Sequence, residues 1–165
     1  MQILFVRHGE KFPLAGHPEE EWPLSANARE ATGTLRGRLQ REGIHADAYL
    51  TSRFCHAVET ATILRGPADD IPVVIVEGLT PTPHTQARFS LSAIAEDAVA
   101  GGVDISRVTT VALVGHEDRL SNLAKKLTAD PVERLDRLEV LVLKAESLQA
   151  ALARRATVDK RFSAR

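Results

Sequence analysis

Residues 3–10 read Ile3-Leu4-Phe5-Val6-Arg7-His8-Gly9-Glu10, and the fold turns on this stretch. Four apolar residues, strong strand formers, come first. A cation, an imidazole, a glycine and a carboxylate follow. The abrupt change predicts a buried strand with Arg7 and His8 at its carboxyl end. In open α/β sheets that edge is where ligands bind. Gly9 allows a sharp turn or a close approach of another group. Two readings stand side by side at this point. In one, His8 attacks a phosphorus atom whose oxygens Arg7 holds; in the other, the stretch is a charged turn after a strand.

The same pattern recurs along the chain. Ala48–Thr51 predicts a second short strand, ending in Ser52-Arg53 and leading into a helix to about Leu64. Ser52 is placed to cap that helix, whose free N–H groups favour an anion. Arg53 and His56 fall three apart in its first turn, on neighbouring parts of one face. Cys55 between them reads as a small packed residue. Pro72–Val76 predicts a third strand, followed by Glu77 and, further on, His84. Val108–Val114 is the clearest interior strand and runs into Gly115-His116-Glu117. A helix over Arg119–Leu127 follows.

Between these strands, Ser25 caps a helix over Ala26–Glu42, with Ala28, Ala31, Leu35 and Leu39 as one apolar stripe. Lys11–Trp22 reads as a solvated loop, and a helix is expected over Thr85–Val99. Leu138–Leu143 reads as the last strand and Ser147–Ala156 as a short helix. Strands alternating with helices predict a three-layer α/β/α sandwich on a mostly parallel sheet. The whole chain, 1–165, is expected to form one domain with a mobile tail at 157–165.

Bulk composition excludes several classes. The 165 residues are 44% hydrophobic and 26% charged, ordinary for a soluble globular chain. Lys+Arg total 21 against 22 Asp+Glu, a formal net charge of -1, which argues against nucleic-acid or polybasic membrane binding. One cysteine cannot make an internal disulfide, and no leader-like or membrane-spanning run is visible, so a cytoplasmic location is expected. A monomer is the default expectation. The six histidines, His8, His17, His45, His56, His84 and His116, show no paired ligand spacing. No glycine-rich nucleotide loop is present. Neither a metal nor another cofactor is expected.

With these edges in view the chain resembles the histidine phosphatase superfamily, the phosphoglycerate mutase-like fold. The resemblance rests on Arg7-His8-Gly9-Glu10, Pro23-Leu24-Ser25, Ser52 to Ala61, Leu79-Thr80-Pro81 and Val114-Gly115-His116-Glu117. The Leu-Thr-Pro element and the short chain look most like SixA-type phosphohistidine phosphatases. The resemblance implies a metal-independent phosphatase in which His8 is transiently phosphorylated and Arg7 and His116 hold phosphoryl oxygens. A neutral imidazole can attack phosphorus at pH 7. Fixed cations lower the barrier by meeting charge spread over the equatorial oxygens. The implied substrate is a phosphorylated protein or a small phosphorylated molecule.

Two departures from the family pattern matter. The second arginine expected four residues after Ser52 is replaced by His56. Either Arg53 enters the pocket or His56 serves as a weaker donor. Ester-cleaving members carry a glutamate where this chain has Pro81. A phosphoramidate leaves readily without a general acid, whereas an alkoxide needs one. Glu77 and His84 are the nearby candidates for acid–base work, and Glu10 for orienting a neighbour. Three functions follow: a phosphohistidine phosphatase, a phosphatase of small esters, or a catalytically weak phosphate-binding module.

Overall fold

The first predicted strand is β1 (Gln2–Arg7) in the computed structural model, which describes residues 1–164. Ile3, Leu4, Phe5 and Val6 are all buried, because β1 lies inside a sheet with both faces covered. Six strands form that sheet in the order β3 (Val73–Ile75), β2 (Ala48–Thr51), β4 (Thr110–Gly115), β1, β5 (Glu139–Lys144), β6 (Thr157–Ser163). The β3–β2, β2–β4 and β4–β1 pairs are parallel, and β1–β5 and β5–β6 are antiparallel. The expected three-layer α/β/α sandwich on a mostly parallel sheet is therefore the fold observed.

Alternate residues of each central strand feed two separate cores. Ile3, Phe5, Leu50, Val111 and Leu113 pack with α3 (Leu91–Ala100) and α4 (Arg119–Leu127). Leu4, Val6, Tyr49, Ala112 and Val114 pack with α1 (Ala26–Arg41) and α2 (Cys55–Arg65), through Leu35, Leu39, Ala61 and Leu64. A one-residue slip of β1 would exchange these two sets, so register is strongly specified. Ser25 caps α1 as expected, its hydroxyl accepting from the Ala28 N–H at 3.1 Å.

Four expectations are corrected. Residues 157–163 are not a mobile tail: they form β6, which hydrogen-bonds to β5. Phe162 covers one core beneath Arg38, whose guanidinium also donates to the Ser163 carbonyl at 2.7 Å. Arg165 lies outside the described residues. The single helix expected over Thr85–Val99 is two elements, a 3-10 helix at Pro83–Arg88 and α3, split where Ser90 caps α3 from Ala93. Ser52 does not cap α2, which begins after Phe54 with no side-chain cap; its hydroxyl is used elsewhere. A fifth helix, α5 (Leu148–Leu152), is shorter than its predicted span.

Candidate active site

Register brings the polar strand ends together. Arg7 of β1 pairs with Gly115 of β4, so His8 and His116 emerge side by side from adjacent parallel strands. The His8 N–H donates to the Gly115 carbonyl at 3.0 Å. Thr51 of β2 pairs with Val114, which brings Ser52 level with the same row. α2 then carries His56 back over the strand ends. Ring centroids lie 4.4 Å apart for His8 and His56, 4.7 Å for His8 and His116, and 5.4 Å for His56 and His116. All three imidazoles are buried.

Hydrogen bonds set the ring protons. A carbonyl oxygen only accepts, so His8 Nδ1, 2.7 Å from the Gly9 carbonyl, carries a proton. Its Nε2 then presents a lone pair. His56 Nδ1 donates in the same way to the Trp22 carbonyl at 2.8 Å, and its buried Nε2 has no hydrogen-bond partner among the described residues. His116 Nε2 lies 2.7 Å from the Ser52 hydroxyl, which can accept or donate. His116 Nδ1 can therefore be either a donor or a lone pair. Burial, followed by repulsion from His56, pushes the His8 imidazolium down to about 3. Burial, followed by His8 and His56, pushes His116 down to about 2. Burial lowers His56 as well, against the pull of the Trp22 carbonyl. The cluster is thus a set of neutral rings at pH 7.

A cavity of about 400 Å³ opens over these rings. Arg7, Lys11 and Arg137 supply cations to its wall, Glu19 and Glu117 carboxylates, and Phe54, Pro81, His8 and His116 the rest. Arg7 Nη1 donates to the Leu135 carbonyl at 2.8 Å, which fixes the guanidinium plane. Lys11 is ion-paired with Glu19. Glu117 accepts from the Leu135 N–H at 2.8 Å and from the Ser121 hydroxyl.

Not every residue singled out in the sequence reaches this cavity. Arg7, His8 and His116 line it, and His56 sits against His8 behind it. Arg53 points away, paired with Glu20 and, at 3.5 Å, with Glu77. That pairing also holds Glu77 outside. His84 is exposed on the 3-10 helix after β3 and does not line the cavity. Glu10 is held by Arg137 Nη1 at 3.2 Å near the rim. Lys11 and Arg137 were not singled out in the sequence because each lies in a loop whose path over the strand ends local pattern does not record. The one available signal was that Lys11 follows the strand end by only four residues.

Comparison with known proteins bears on this geometry. The model of the histidine phosphatase superfamily (branch 1) matches residues 3–82, which include Arg7, His8, Ser52 and Pro81. Over residues 3–82, just under half of its length, the chain is similar to that superfamily. An uncharacterized protein of Picosynechococcus is 29% identical over 128 residues, 77% of this chain and 73% of that one. The fold matches the protein histidine phosphatase SixA, solved with tungstate, at a TM-score of 0.75 and 17% identity over 99% of this chain and 97% of that one. It matches the alpha-ribazole phosphatase of Shigella flexneri at 0.67 and 19% identity over 99% and 97%. A mycobacterial glucosyl-3-phosphoglycerate phosphatase, solved with inorganic phosphate, gives 0.63 and 15% over 99% and 98%. The strand ends of this chain carry three buried imidazoles, His8, His56 and His116. Among its described residues no helix is long and apolar enough to cross a membrane.

Proposed function

We propose that this chain, working as one domain, is a phosphatase that removes a phosphoryl group from phosphohistidine on a protein through a phospho-His8 intermediate. The observation that carries the reading is His8 itself. Its Nδ1–H is held by Gly9, and its Nε2 lone pair lies beneath a cavity walled by Arg7 and Lys11.

In the first step His8 Nε2 attacks phosphorus, the P–N bond of the substrate breaks, and the departing imidazole takes up a proton from solvent water. In the second, water attacks phospho-His8, inorganic phosphate departs and the free ring is regenerated. Arg7 meets the equatorial oxygens, with His116 Nδ1–H as a further donor in the tautomer that accepts from Ser52. Lys11 takes the place of the missing second arginine, as a point charge rather than a planar fork. His56 does not fill that place: with its proton committed to Trp22 it offers a lone pair, not a donor. Pro81 in the cavity wall fits a substrate whose leaving group needs no strong acid.

The carboxylates support a second reading. Glu19 and Glu117 both reach the cavity, so a small phosphate ester could find a proton donor there, where Glu77 and His84 could not serve. The alpha-ribazole and glucosyl-3-phosphoglycerate phosphatases are named for such esters. A single comparison separates the readings: turnover of a phosphohistidine peptide and of a sugar phosphate, with an acid-labile phospho-enzyme trapped in each case. Faster turnover of the peptide, lost in His8→Ala, is expected. Turnover that persists in His8→Ala refutes the nucleophile, and a large preference for the ester selects the second reading.

A further inference from the structure

We infer that His8, His56 and His116 form a binding site for a zinc-class divalent transition-metal ion, and that an ion bound there excludes phosphoryl transfer by His8. The binding claim stands apart from the phosphatase reading; the exclusion clause rests on it.

The three rings offer one ligand atom each, and these atoms lie within 4.8 Å of one another. A tetrahedral ion with bonds of about 2.0–2.1 Å sets its ligand nitrogens about 3.4 Å apart, so a modest inward rotation of the rings completes the geometry. Two of the three rings keep Nε2 as a lone pair, His8 and His56, because a backbone carbonyl holds the other nitrogen of each. His116 joins them when its Nε2–H donates to Ser52. An oxygen atom on the remote nitrogen of every ring is the outer shell that orients metal-bound histidines. Three neutral imidazoles suit zinc, copper or nickel.

His56 Nε2 is the decisive atom. Its ring is fully buried, and that nitrogen has no partner among the described residues. As a packing element an imidazole is a poor choice, since an apolar side chain would leave no acceptor unsatisfied. As a ligand it needs what the cluster lacks, an electrophile. Arg7 and Lys11 weigh against a bare dication, but the cavity they line adjoins the rings, and they favour an anion as the fourth ligand. An arginine at 56 would repel a cation outright. The departure from the family pattern is therefore what makes this pocket able to hold one. Nε2 of His8 cannot serve a metal and a phosphorus atom together, so the ion acts as a reversible block.

The test uses the full chain, stripped with a chelator and titrated with Co²⁺ and Zn²⁺ by calorimetry and visible absorption. One ion per chain, with the intense visible bands of tetrahedral Co²⁺, is expected. His56→Gln should weaken binding by more than about 100-fold, since even losses in the outer shell cost 10–100-fold. Cys55→Ser, removing the neighbouring thiol, should leave binding unchanged. Absence of binding, or binding that survives His56→Gln, overturns the proposal. Should His56→Gln fail to fold, imidazole NMR on the wild-type chain decides: Co²⁺ must broaden His8, His56 and His116 before His17, His45 and His84, and the reverse order overturns the site. Preloaded Zn²⁺ should prevent phospho-His8 formation and a chelator restore it. Unhindered phosphorylation of the loaded protein defeats the exclusion clause. No phospho-enzyme even in the stripped protein defeats the catalytic reading, while the titration still judges the metal site.

Discussion

The proton on His56 Nδ1 is committed to the Trp22 carbonyl, so in the proposed reaction the phosphoryl oxygens would be met by other groups. Of those, Lys11 shares the cavity with His8, whereas Arg53 is engaged by Glu20 and Glu77 outside it. Lys11→Ala should lower kcat/KM for a phosphohistidine peptide by about 10²–10³, the usual cost of one charge-assisted donor to a transition state. Arg53→Ala should change it by less than about threefold, because exposed ion pairs contribute under about 1 kcal/mol. The opposite ranking would put Arg53 in the pocket after all. The ring protons allow a second measurement at this scale. With His8 held down to about 3 and His116 to about 2, their ¹⁵N imidazole signals in metal-free protein should keep the neutral pattern down to pH 5. Titration of either ring near 6.5 would contradict the burial and mutual repulsion described here.

Elements matter here chiefly for how closely they approach the strand ends. Gly9 shows this. A methyl group on its Cα would lie 3.1 Å from both the Ala28 Cβ of α1 and the Leu24 Cδ2, so these side chains would have to shift by a few tenths of an ångström to accept it beside His8. Gly9→Ala should therefore move His8 as well as destabilise the fold, reducing kcat more than it reduces the urea midpoint in proportion. The cap of α1 is a purely local matter by contrast. Ser25→Ala should cost about 1 kcal/mol in chemical denaturation, the usual value of a lost N-cap, with kcat unchanged. The split between the 3-10 helix at Pro83–Arg88 and α3 has a similar origin: Ser90 satisfies the Ala93 N–H, and a continuous helix would forgo that cap.

For the molecule as a whole, three buried neutral histidines make stability depend on pH. In the unfolded chain these rings take protons near 6.5, while in the fold His8 refuses one until about 3 and His116 until about 2. Between those limits the unfolded state binds more protons, so unfolding free energy rises with pH. The stabilising contribution is complete above about 6.5 and is lost as pH falls toward 3, at up to about 1.4 kcal/mol per pH unit for each ring. The urea midpoint of chelator-treated protein should be clearly lower at pH 5 than at pH 7, and His8→Asn should flatten the dependence. A midpoint that held steady across that range would contradict it. The carboxyl-terminal strand supplies a second whole-molecule prediction. Deleting residues 157–165 removes Phe162 from its core and exposes the β5 edge, so a lower melting temperature and concentration-dependent association in light scattering are expected.

What could be read from the sequence was what neighbouring residues decide among themselves. The apolar run of Ile3 to Val6, the buried strand before Gly115 and the Ser25 cap depend on local pattern, and they fix the alternation of strands and helices. So do the polar strand ends, which is why Arg7, His8 and His116 could be singled out. β6 was not legible, because Asp159, Lys160 and Arg161 look like a solvated tail until a neighbouring strand offers hydrogen bonds. His56 was singled out as well, but as a donor to phosphate; that its proton is held by the Trp22 carbonyl was not legible. His56 joins His8 and His116 only because β4 inserts between β1 and β2 in one register, and no spacing along the chain records that insertion. Local chemistry names the candidates; strand order and register decide which of them meet.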